Sequence, residues 1–215
     1  MFLTFEGIEG SGKSTQCSLL RLELERLGYE VVLSREPGGI DVPASEAIRS
    51  LLLDPKQRLC PRAELLLFQA SRAQHVDQLI RPALARGAVV VCDRFYHASV
   101  AYQGGGRGVS LDSVVWLNEF ATGGLRPDHT ILLDVEAGIG IQRARARSGG
   151  RVDRIERESI DFHERVRAGY LRQARAEPES FLLLDGTLSP DALGERIAQE
   201  VRRWLESGNR KGLST

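Results

Sequence analysis

Residues 7–14, Gly-Ile-Glu-Gly-Ser-Gly-Lys-Ser, satisfy every fixed position of G-x-x-x-x-G-K-[ST], a spacing suited to holding phosphate. Gly7, Gly10 and Gly12 admit backbone conformations closed to residues with side chains, so successive N–H groups can turn toward one point. Ile8, Glu9 and Ser11 fill the loop between them, and Thr15 follows it. Lys13 adds a positive charge for β- and γ-phosphates, and Ser14 offers a hydroxyl to Mg²⁺. The helix beginning near Lys13 aims its positive end inward. Since every part opposes phosphate charge, the ligand expected is a nucleoside triphosphate with magnesium. A glycine-rich turn that binds nothing has similar composition, so the flanks matter: Phe2-Leu3-Thr4-Phe5 reads as a strand, and Gln16 to Leu27 repeats apolar residues at helical spacing.

Other residues could join this chemistry. Asp93 follows three valines and a cysteine, so it either stands at a strand tip near Mg²⁺, binding it through water, or caps the next segment. Arg94 beside it could clamp donor and acceptor oxygens with paired hydrogen bonds. Arg35 and Glu36, before Pro37-Gly38-Gly39, read as an acceptor-side pair or as a surface turn. From Gln142 to Arg157 the chain holds Arg143, Arg145, Arg147, Arg151, Arg154 and Arg157 around Ser148-Gly149-Gly150. That is either a solvated face or a lid that closes on polyphosphate and excludes competing water. Phe68 and Arg72 are four residues apart on a helical stretch and share a face, suiting either a base reader or a core. The stretch from Tyr102 to Gly108 reads as a polar, flexible loop. His75, His97, His129 and His163 lack metal-ligand spacing and receive no role.

The elements that must position these residues alternate. Apolar runs at Val31 to Leu33, Val89 to Cys92, Thr130 to Leu133 and Phe181 to Leu184 add four strands to the first. Helical stretches cover approximately Lys13 to Leu27, Ala44 to Leu53, Pro61 to Ala85, Leu111 to Ala121, Ile139 to Arg147, Glu158 to Ala176 and Asp191 to Leu205. This predicts an α/β fold: a doubly wound, mainly parallel five-stranded sheet flanked by helices. Ligands of such sheets sit beyond the strand carboxyl ends, where the phosphate loop, Arg35-Glu36, Asp93-Arg94 and Asp134 are all expected to converge. One domain spans residues 1–206, with the lid at about 142–157 and a flexible tail at 207–215.

Lysine plus arginine and aspartate plus glutamate each number 29 among 215 residues, so no net field draws the chain to nucleic acid. No apolar run approaches a membrane span. Three cysteines without C-x-x-C spacing, and an N-terminus too short for a signal-peptide core, point to a reducing cytoplasm.

These motifs together resemble the bacterial thymidylate kinases over nearly the whole chain. The resemblance is carried by residues 5–15 (FEGIEGSGKST), 35–39 (REPGG), Asp93-Arg94, 101–108 (AYQGGGRG) and 153–156 (DRIE). It implies the nucleoside monophosphate kinase fold, ATP and dTMP as substrates, Mg²⁺ with the ATP, and a homodimer. It implies that Phe68 stacks on thymine, Arg72 donates to a ring carbonyl, Ser99 and Gln103 lie along the base edge and Tyr102 stands close to the sugar. Glu9 would approach the 3′-hydroxyl and Arg94 would hold the acceptor phosphate. Some members carry an arginine inside the phosphate loop, whereas Glu9-Gly10-Ser11 has none. The lid must then supply it, with Arg147 and Arg151 as candidates. The rivals are a kinase for another nucleoside monophosphate and an ATP-responsive binding protein that performs no transfer.

Overall fold

The structure, a computed structural model, describes residues 1–148 and 153–211. All five apolar runs become strands: β1 (Phe2–Glu6), β2 (Val31–Arg35), β3 (Val89–Asp93), β4 (His129–Asp134) and β5 (Phe181–Asp185). They form one sheet in the order β2-β3-β1-β4-β5, and every neighbouring pair is parallel. After β1 the chain builds one side of the sheet and then crosses to the other, so the switch point lies at the carboxyl end of β1, where such sheets bind ligands. Register aligns the polar tips, with Phe5 and Arg35 both opposite Asp93.

Both faces of the sheet are covered. Helices α1 (Lys13–Arg26) and α9 (Pro190–Lys211) pack Leu20, Leu24, Leu193 and Ile197 against Leu3, Phe5, Val89 and Val91. On the opposite face Phe2, Val90 and Cys92 meet Phe95 and Ile80. This period-two division of apolar residues between two cores is why the strands read as unbroken apolar runs. Among the described residues no helix is long and apolar enough to cross a membrane.

The remaining helices are α2 (Pro43–Leu53), α3 (Pro61–His75), α4 (Arg81–Ala85), α5 (Tyr96–Ser99), α6 (Leu111–Thr122), α7 (Ala137–Ser148) and α8 (Ile160–Ala176). Three differences from the sequence reading have physical causes. The helix expected from Pro61 to Ala85 contains a π-helical stretch, Val76–Ile80, between α3 and α4, because Pro82 brings a ring and no N–H and the preceding turn must widen to admit it. The expected loop after Tyr102 is instead a π-helical continuation of α5, Val100–Gly106. Its glycines serve packing: a Cβ on Gly106 would lie 2.6 Å from the Phe162 ring of α8. Finally, α9 runs to Lys211, through the boundary expected at residue 206 and into the predicted tail. Ser207 prolongs the pattern by donating to the Trp204 carbonyl.

Candidate active site

The phosphate loop leaves β1 and enters α1 through three glycines at positive φ: 137° at Gly7, 71° at Gly10 and 100° at Gly12. A side chain at Gly10 is excluded twice, since its Cβ would also stand 2.0 Å from the Gly140 carbonyl oxygen of α7. Ile8 is anchored in the core. Lys13 folds back across the loop and donates to the carbonyls of Gly7 (3.1 Å) and Ile8 (2.8 Å) and to Ser11 Oγ (3.3 Å). Burial, helped by repulsion from Arg94, lowers the Lys13 ammonium to about 8. A buried cation held only by neutral oxygens is poised for an anion. Ser14 donates to Asp93 Oδ2 at 2.6 Å, which joins the first turn of α1 to the tip of β3. Hydroxyl and carboxylate oxygens are the donors magnesium prefers, so this pair fits it. Thr15 is exposed one residue farther on.

A cavity of about 240 Å³ opens beside the loop. Glu9, Gly10, Gly12, Lys13 and Ser14 form one wall, and Arg35, Glu36, Asp93 and Arg94 come from the ends of β2 and β3. The far wall is Phe68 and Arg72 of α3 with Ser99, Tyr102 and Gln103 from the helical turn after β3. Arg147, at the end of α7, completes the rim. Arg151 lies outside the described residues. The sequence reading also brought Asp134 here, but Asp134 does not line the cavity and is taken up by Arg167 Nε and NH2 at 2.7 and 2.9 Å.

Arg94 stands at the centre in the left-handed region, φ 74°, a conformation costing a non-glycine residue about 1–2 kcal/mol. Its NH1 donates to the Gly7 carbonyl (2.9 Å) and Tyr170 Oη (3.1 Å), and its NH2 to Glu9 Oε1 (2.9 Å). Tyr102 Oη donates to both Glu9 oxygens, at 2.7 and 2.8 Å. Burial alone would raise the Glu9 carboxyl, but Arg94, His163 and Lys13 together hold it below the usual carboxylate range.

Arg72 is fully buried. Its Nε donates to Glu36 Oε2 at 2.8 Å, and NH1 faces Gln69 Oε1, Ser99 Oγ and Asn118 Oδ1 at 2.8–3.1 Å. NH2 donates to the Phe95 carbonyl at 3.2 Å, leaving one of its two hydrogens for a ligand. Phe68 and Arg72 therefore share a face as their spacing requires, and that face is the cavity wall. Arg35 pairs with Glu46 at 3.1 Å.

Several groups that line the cavity or touch its lining residues received no site role from the sequence. Arg49 of α2 reaches the cavity and donates to the Pro37 carbonyl at 2.7 Å; no spacing relates it to Arg35. Asp153, Ile155 and Glu156, which entered above only as part of the 153–156 motif and without a site role, also line the cavity. His163, denied a role for want of metal spacing, places Nδ1 3.2 Å from Glu9 Oε2.

The family's sequence profile, described as thymidylate kinase, matches residues 5–197. The chain belongs to the thymidylate kinase family. Within that family it is 49% identical to the thymidylate kinase of Pelobacter propionicus over 205 residues, 93% of each chain. It is 51% identical to that of Geotalea daltonii over 196 residues, 88% of this chain and 91% of the relative. The crystal structure of thymidylate kinase from Ehrlichia chaffeensis matches with a TM-score of 0.76 at 32% identity, covering 94% of this chain and 98% of that one. The thymidylate kinase relationship thus covers the sheet and the phosphate loop, and the five parallel strands are its nucleoside monophosphate kinase fold.

Proposed function

We propose that this protein transfers the γ-phosphoryl group of ATP to dTMP, giving dTDP and ADP. The carrying observation is one continuous cavity in which the phosphate loop meets Phe68, Arg72, Ser99 and Gln103 across Arg94. Triphosphate lies along Gly10, Gly12 and Lys13, and the acceptor base lies against Phe68, with the free Arg72 hydrogen on a ring carbonyl. Arg94 holds the acceptor phosphate. An oxygen of that phosphate attacks the γ-phosphorus as the bond to the ADP oxygen breaks, and Lys13 with Arg147 or Arg151 opposes the charge that spreads over the transferred group. The acceptor is already an anionic nucleophile, so placement and charge supply the catalysis and no strong base is required. Ser14 and Asp93 would hold a magnesium ion, directly or through water, and the ion would supply neutralisation of the polyphosphate charge. Glu9 faces the sugar, and the Tyr102 ring disfavours a 2′-hydroxyl. The setting we assign is the cytoplasm, where Cys17, Cys60 and Cys92 stay free thiols.

Steady-state rates with dTMP, dCMP, dGMP and dAMP at saturating ATP test this reading. We expect kcat/KM for dTMP to exceed the others by about 100-fold or more, because a site built to hydrogen-bond one base edge leaves its donors unpaired against another. A flat profile across the four would reject dTMP as the acceptor.

The same reading includes a homodimer. Helices α3 and α6 pack on each other and carry Leu66, Val115, Trp116 and Phe120 exposed, with the Trp116 and Phe120 rings stacked at 5.6 Å. Apolar surface of this kind favours a partner, here a second copy. Sedimentation should find two chains for the native protein and one for Trp116→Asp with Phe120→Asp; a native monomer at micromolar concentration would count against it.

A further inference from the structure

Arg94 needs more than its own contacts to stay where it is. Its backbone lies in a region residues with side chains rarely adopt, at φ 74°, and a guanidinium on a four-bond stem has many competing rotamers. Two buried groups outside the cavity hold it at both ends. Glu6, the last residue of β1, is 0% exposed. Its Oε1 accepts from the backbone N–H of Phe95 at 2.8 Å, directly after Arg94. Its Oε2 accepts from Tyr170 Oη at 2.7 Å, and that hydroxyl accepts from Arg94 NH1 at 3.1 Å. One carboxylate therefore fixes the main chain beside Arg94 and, through Tyr170, the charged end of its side chain. Neither Glu6 nor Tyr170 lines the cavity.

We propose that Glu6 and Tyr170 are positioning residues for Arg94, setting its guanidinium for the phosphate of the acceptor nucleotide. The inference rests on the reading of Arg94 as the acceptor-phosphate group. Burial pushes the Glu6 carboxyl up to about 7 against the opposing pull of Arg94, Tyr170 and the Phe95 N–H, while both of its oxygens remain engaged. A structural hydrogen bond to Phe95 alone would need only one neutral oxygen; the second oxygen is spent on Tyr170, whose hydroxyl has a donor and an acceptor role to link carboxylate and guanidinium. Among the described residues the guanidinium hydrogen-bonds to Gly7, Glu9 and Tyr170 and lies 4.9 Å from the Tyr102 ring centroid, and Tyr170 is the partner that passes the contact on to the Glu6 carboxylate.

Equilibrium titrations with dTMP and with thymidine, which lacks the phosphate, test this on wild type, Tyr170→Phe, Glu6→Gln and Arg94→Ala. Tyr170→Phe removes one hydroxyl and keeps the ring. It is expected to weaken dTMP binding by about 10-fold, the size of one hydrogen bond to a charged group, while thymidine binding changes by less than about twofold. General damage to the fold would instead weaken both ligands alike. Placed on Arg94→Ala, the same substitution should have no further effect on dTMP, because the group it positions is gone. Glu6→Gln should repeat the selective loss and serves as the second variant if Tyr170→Phe folds poorly. If Arg94→Ala weakens dTMP selectively but Tyr170→Phe and Glu6→Gln leave the dTMP-to-thymidine ratio at the wild-type value, the positioning role is wrong. If Arg94→Ala leaves that ratio unchanged, the underlying assignment of Arg94 fails instead.

Discussion

Lys13→Met is expected to lower kcat by about 1000-fold or more, the upper range for removing one preorganised group that stabilises transition-state charge. The expectation follows from how Lys13 is held. Its ammonium is buried and donates only to the neutral oxygens of Gly7, Ile8 and Ser11, so a polyphosphate meets a cation already desolvated and aimed, with little reorganisation left for the reaction itself. Methionine keeps most of the aliphatic stem and removes the charge. The depressed value of about 8 adds a pH signature. Lys13 carries its charge below about 8 and loses it above, so kcat/KM for ATP, which reports the free enzyme, should fall as pH rises through that value. Bound phosphates favour the ammonium and raise its pKa, so the fall in kcat should begin at higher pH than the fall in kcat/KM. Arg147→Ala removes charge from the cavity rim rather than from the loop, and a smaller loss of about 10–100-fold is expected. Retention of kcat within tenfold in Lys13→Met, or a kcat/KM profile flat from pH 7 to 9.5, would remove Lys13 from its assigned role.

The loop was legible because its chemistry is local: eight consecutive residues supply turn, charge and hydroxyl, and flanking periodicity marks the strand and helix around them. The strands were legible for a similar reason, since burial on both faces leaves an uninterrupted apolar run such as Val89 to Cys92. Phe68 and Arg72 were half legible: spacing put them on one face, but only the fold shows that this face borders the cavity. What stayed hidden depends on partners distant in sequence. Tyr170 and Glu6 are 164 residues apart and meet because α8 lies over the end of β1. Asp134 resembled a site residue by its place at the carboxyl end of β4, and Arg167 neutralises it. The glycine-rich stretch after Tyr102 has the composition of a loop, yet the glycines are there so that α8 can approach a helical turn. His163 was judged by metal spacing alone, a criterion blind to a single contact with Glu9 across the fold.

Arg94→Ala is expected to lower kcat/KM for dTMP by about 100–1000-fold, mostly through KM, with KM for ATP changing little. It also disturbs its surroundings, which predicts a second, separable effect. Glu9 is 13% exposed in its side chain and paired with Arg94 at 2.9 Å. Without that cation an almost buried carboxylate loses its largest opposing charge and keeps only Lys13 and His163, a loss of about 3 kcal/mol of stability at neutral pH. The sign with pH is fixed by the direction of the Glu9 shift. In wild type its carboxyl is held below the unfolded value, so the stabilising contribution is present above that value and lost as pH falls through the folded one. In Arg94→Ala the largest opposing charge is gone and burial lifts the carboxyl relative to wild type, so Glu9 is protonated at less acidic pH than in wild type. The stability gap between wild type and Arg94→Ala should therefore be widest near pH 7 and narrow toward pH 4, as thermal melts across that range would show. Arg94→Lys separates the two effects, because an ammonium can pair with Glu9 as a point charge but lacks the planar fork that binds two phosphate oxygens at once. Most of the lost stability should return in Arg94→Lys while KM for dTMP stays high. If Arg94→Lys restored both, the fork would have no special part in holding the acceptor; if Arg94→Ala left KM for dTMP at the wild-type value, Arg94 would be only a structural partner of Glu9.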